Sequence, residues 1–88
     1  MKKIPLSDGS GRWFDVESVE KYWTETLDPN EAERRRREGP KEEKLYFLAD
    51  TNFVFHRFHW SDGDSYHLYD WQQATQWLIA NGHQSHLA

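Results

Sequence analysis

The chain has 88 residues, enough for one domain and too few for two. It contains no cysteine, which excludes disulfides and thiolate zinc sites and makes a reducing, cytoplasmic setting the expectation. The formal net charge of −4 argues against general affinity for nucleic acid or anionic membranes.

A core this small needs bulky side chains, and five Trp, four Tyr and five Phe supply them. Two lysines open the sequence with no apolar run behind them, so no signal peptide is expected. No stretch approaches the roughly 18 apolar residues of a membrane span.

Ile4 to Asp15 reads as a hairpin, with Ser7-Asp8-Gly9-Ser10-Gly11 as its turn. Pro5 cannot donate a ladder hydrogen bond, so the first strand belongs at an edge. Asp15 has the character of a helix N-cap. Behind it Val16, Val19, Tyr22, Trp23 and Leu27 recur at helical spacing until Asp28-Pro29. The spacing predicts a helix between the hairpin and Leu27.

Residues 30–43 carry one apolar side chain, Ala32, and read as a mobile charged loop. The alternative is a short solvated helix over Pro29 to Glu38, supported by the Glu31–Arg35 spacing. Leu45 to Leu48, Phe53 to Trp60 and Tyr66 to Tyr69 then form three strands with short connections, an antiparallel meander. Asp70 with Gln73 makes a capping box for a last helix bearing Trp71, Ala74 and Leu78 on one stripe and Trp77 beside it. Asn81-Gly82 stops it, and residues 83–88 are expected to fray. The fold class is α+β in the order β-β-α-β-β-β-α, with both helices feeding one shared core.

The pattern Leu45-Tyr46, Phe53-Val54-Phe55-His56, Trp60-Ser61, Tyr66, then Ala74-Thr75-Gln76-Trp77-Leu78-Ile79 and Asn81-Gly82-His83 resembles a group of small bacterial proteins of uncharacterised function. Ile4-Pro5-Leu6 is similar to their start. The resemblance covers about half the chain. It implies an architecture and transfers no site.

In Phe53 to Trp60, alternate residues face opposite ways: Phe53, Phe55, Arg57 and His59 on one side, Val54, His56, Phe58 and Trp60 on the other. Aromatics on both faces fit either a sheet packed on both sides or an exposed platform. The candidate interaction surface is therefore Arg34, Arg35, Arg36, Arg37, Phe53, Phe55, Arg57 and His59. The arginine segment is neutral, because Glu31, Glu33, Glu38, Glu42 and Glu43 balance the four arginines and Lys41. It reads as a solvated linker ahead of a phosphate-binding arm. His56 and His59 face apart, while His56 with His67 would offer a metal two ligands at most. His83 and His86 fall in the tail. Asp62-Gly63-Asp64 lacks the further oxygens of a calcium loop and reads as a turn. No nucleophile or phosphate-loop motif is present, so neither catalysis nor a cofactor is expected. The function expected is a non-catalytic protein-interaction module, as a monomer or weak homodimer, with nucleic-acid binding as the alternative.

Overall fold

Residues 19–24, Val-Glu-Lys-Tyr-Trp-Thr, hold four β-formers, while Val19, Tyr22 and Trp23 fall at helical spacing, so strand and helix compete. Long-range pairing decides between them. In the computed structural model, which describes residues 2–83, this segment is a strand. The elements are β1 (Lys3–Pro5), β2 (Trp13–Asp15), a single 3-10 turn (Val16–Ser18), β3 (Val19–Thr24), α1 (Pro29–Glu38), β4 (Lys41–Leu48), β5 (Phe53–His59), β6 (Gly63–Tyr69) and α2 (Trp71–Ala80). Strands β1 and β2 form a two-stranded hairpin, and β3-β4-β5-β6 form one antiparallel sheet. The α+β class holds, as does the order hairpin, helix, meander, helix. The added strand β3 stands where the first helix was expected.

Asp15 does cap, but only the 3-10 turn: its carboxylate accepts from the Glu17 amide at 3.0 Å, and the chain is extended again at Val19. The helix is displaced into the segment expected as a loop. Pro29 occupies its first turn, and Asp28 accepts from the Glu31 amide at 2.8 Å. Residues 30–43 are thus helix, turn and the start of β4. Gly39 makes the turn at φ 125°, a conformation suited to glycine, and a Cβ there would stand 2.4 Å from the Trp60 ring.

The hairpin turn is fixed by polar contacts. Asp8 accepts from the Ser10 amide at 3.0 Å and from the Arg12 guanidinium at 3.0 Å. Hydrogen bonds from Ser10, with Arg12 adding to them, hold the Asp8 carboxyl down at about 2.

The four-stranded sheet is packed on both faces, with two clusters instead of one shared interior. On one face Trp23, Leu45, Phe53 and Phe55 meet Ala74, Trp77 and Leu78 of α2. On the other Leu48 and Val54 meet Leu6 and Phe14 of the hairpin. Of the five residues on the expected helical stripe, Trp23 joins the α2 side, Val16 and Val19 the hairpin side, and Tyr22 and Leu27 stay exposed. Trp71, expected in the buried stripe, is exposed instead, and Trp77 takes the inward position. The expected capping box is present, with Asp70 and Gln73 bonding reciprocally at 2.7 and 3.0 Å.

Both sheet edges are partly occupied. On β6 the Ser7 amide donates to the Tyr66 carbonyl at 2.7 Å, and the Tyr66 amide donates to Ser7 Oγ at 2.9 Å. Beside β3, the Thr26 amide donates to Asn81 Oδ1 at 3.0 Å, and His83 Nε2 lies 2.9 Å from the Thr24 carbonyl. These contacts remove backbone groups that would otherwise template another strand. Of the tail expected to fray, residues 84–88 lie outside the described residues, and His83 is bonded as stated.

Candidate functional site

The eight residues expected on an interaction surface do not share one. Phe53 and Phe55 are 5% and 9% exposed and lie beneath α2, so the aromatic platform on that face of β5 is core. Phe53 packs on Phe47 at 5.1 Å and Phe55 stacks on Tyr69 at 4.8 Å, centroid to centroid. Arg57 is exposed further along the same face, and His59, half-buried, sits beside the Ser61 hydroxyl at 2.7 Å.

The four arginines of α1 separate into two kinds. Arg35 turns inward. Its guanidinium forks onto Glu25, with Nη2 3.1 Å from Oε2 and Nη1 on Oε1, and also donates to Glu31 at 3.1 Å and to the Lys41 carbonyl at 2.9 Å. Glu25 in turn accepts from the Glu43 amide at 3.0 Å. The contact with Glu25 first, and then Glu31, holds the Arg35 proton more firmly than in water. Arg34 and Arg36 face outward onto Glu31 and Glu33. Arg37 alone of the four is exposed with no acidic partner among the described residues.

The histidines also separate. Register pairs Phe55 with His67 and His56 with Tyr66, so His56 and His67 face opposite sides and cannot share a ligand. Even the two metal ligands that His56 with His67 would offer are therefore not brought together. His56 instead bridges three strands. Its Nδ1 lies 2.9 Å from the Tyr46 hydroxyl and its Nε2 2.7 Å from Asp64 Oδ1, while its ring stacks on Tyr66 at 4.4 Å. Burial, with the carboxylates of Glu42 and Asp64, raises the Tyr46 pKa, and burial raises that of Tyr66. A phenol held in its protonated form offers no tyrosinate. The chain Tyr46–His56–Asp64 therefore ties β4, β5 and β6 together across their hairpin-side face. Among the described residues, no three His, Asp or Glu side chains gather as a metal site would require.

The surface that the sequence reading missed lies on α2 and β3. A groove of about 330 Å³ opens between them over Trp23, Phe47, Phe53 and Leu78. Trp71 forms one wall, its ring 5.6 Å from that of Phe53, and at 63% it is the most exposed large apolar side chain among the described residues. The β3–β4 register shifts between Val19 and Lys21, and both Glu20 and Lys21 reach the groove, as exposed residues on its rim. The outer face of α2 bears no charge: Trp71, Gln72, Gln73, Gln76 and Ile79 are all exposed and neutral. In a chain where 30% of residues are charged, ten consecutive neutral helical residues were a visible signal. The helical pattern alone could not say which tryptophan faced out.

Comparisons with family models, curated proteins and solved structures match nothing to this chain. The geometry therefore carries the functional reading. No helix of the described residues is long and apolar enough to cross a membrane.

Proposed function

We propose that this protein is a non-catalytic interaction module of the bacterial cytoplasm that docks onto a protein chain through α2 and the adjoining groove. One observation carries the reading: an uncharged helix face presents an exposed tryptophan beside an open apolar groove. Aromatic anchors and charge depletion are the compositional marks of interface centres. The chain folds around three other α2 residues, Ala74, Trp77 and Leu78, so Trp71 and Ile79 are not needed for the core. The cysteine-free composition and the bacterial resemblance support the compartment.

The nucleic-acid alternative relies on arginines that glutamates largely occupy. Three of the four on α1 pair with carboxylates, which leaves Arg37 and Arg57 as a sparse phosphate surface. Affinity capture from the native cell separates the two. Wild type, Trp71→Glu and the double variant Arg36→Glu/Arg37→Glu are compared with and without nuclease. The reading expects a protein partner that survives nuclease and is lost only with Trp71→Glu. Capture that depends on the arginines and vanishes with nuclease would replace it.

A further inference from the structure

The docking surface is complementary to itself. Its most prominent knob, Trp71, stands directly beside an apolar hole, the groove floored by Phe47, Phe53 and Leu78. On the rim of that hole an acid and a base are consecutive, Glu20 and Lys21. An isologous interface requires one patch to carry both a feature and its complement, because a two-fold axis sets residue i against j and j against i. We propose that the partner is a second copy of this chain, each copy inserting Trp71 into the other's groove with Glu20 facing the other's Lys21.

The inference rests on the reading of α2 and the groove as a docking face. It specifies a face-to-face contact and not an added strand. Thr24 and Thr26 are already engaged by His83 and Asn81, and the register shift at Glu20 distorts β3. Edge pairing through β3 would therefore meet blocked groups. The neutral outer face of α2 brings no like charges together when two copies meet across the axis.

Sedimentation velocity over a concentration series tests this, with the rim charges as the specific probe. Wild type is expected to dimerise in a concentration-dependent way, and Trp71→Ala to weaken the dimer by roughly 30-fold or more. Glu20→Lys sets lysine against lysine, and Lys21→Glu sets glutamate against glutamate. Each alone is expected to weaken the dimer by about tenfold. Mixing those two variants pairs opposite charges at both contacts and restores the dimer, as does Glu20→Lys/Lys21→Glu in a single chain. A folding defect would not be repaired by mixing. Wild type that stays monomeric up to about 1 mM, or single variants that dimerise like wild type, overturns the inference. In the monomeric case anilinonaphthalene sulfonate distinguishes what else falls. Dye bound by wild type and not by Trp71→Ala leaves the docking face standing with a different partner. Dye bound by neither removes the docking face as well.

Discussion

The two helices have the same length and the same kind of cap, yet they are attached to the sheet by opposite physics. Helix α1 runs for ten residues behind Asp28 and buries none of them. Helix α2 runs for ten residues behind Asp70 and buries Ala74, Trp77 and Leu78. The first carries seven charged side chains, Glu31, Glu33, Arg34 to Arg37 and Glu38; the second carries none. What holds α1 down is a polar plug, the Arg35 fork in Glu25, with Trp60 lying against Gly39 at its end. What holds α2 down is mainly apolar area, joined by the Trp77 indole donating to Glu43 at 3.0 Å and by Asn81 at its C-terminal end accepting from the Thr26 amide at 3.0 Å. Capping starts a helix in either place, but most helical stability in proteins comes from what the helix packs against. Here α2 should melt with the whole protein, and α1 should open by itself.

The comparison breaks first at Leu78. It is 1% exposed in the α2 cluster, so Leu78→Ala should cost about 2–5 kcal/mol, read from urea unfolding followed by tryptophan emission. A loss below about 1 kcal/mol would mean that α2 only rests on the sheet. Next comes Arg35, whose side chain is 15% exposed against 10% for Glu25. Arg35→Met strands a mostly buried carboxylate and should cost about 1–3 kcal/mol, with far-ultraviolet helix signal lost before the tryptophan signal changes. Arg35→Lys should recover only part of this, because an ammonium cannot fork onto two oxygens. Asp70→Ala removes half of the capping box and should cost about 1 kcal/mol. The smallest effect belongs to Arg36, outward on α1 and paired with Glu33: Arg36→Ala should fall below about 0.5 kcal/mol in the same urea titration.

What the sequence made legible follows the same division. The elements that read correctly are those whose local chemistry is unambiguous: the Asp70–Gln73 capping box, the three meander strands and the edge position of Pro5. The helix over Pro29 to Glu38, held only as an alternative, was visible in Asp28, Pro29 and the Glu31–Arg35 spacing. It lost to the loop reading because nothing local reveals that Glu25, ten residues earlier, waits to receive Arg35. Strand β3 was missed because Val19, Tyr22 and Trp23 match a helical stripe, and only pairing with Leu45 to Leu48 draws them straight. The site suffered from the same ambiguity. Alternation in β5 established that Phe53 and Phe55 share a face, but not that α2 covers it. The contrast between Trp71 outside and Trp77 inside depends on how α2 is rotated over that face. The bridge from Tyr46 through His56 to Asp64 needs the register of three strands at once, which no single segment encodes.

Native-state hydrogen exchange at increasing denaturant tests the division between the helices most directly, because it reads the opening of each one separately. The α1 amides, Ala32 to Arg37, are predicted to exchange through a local opening that denaturant barely alters. The Trp77 and Leu78 amides of α2 are predicted to exchange only with global unfolding. Equal protection of the two helices, rising and falling together, would contradict the account.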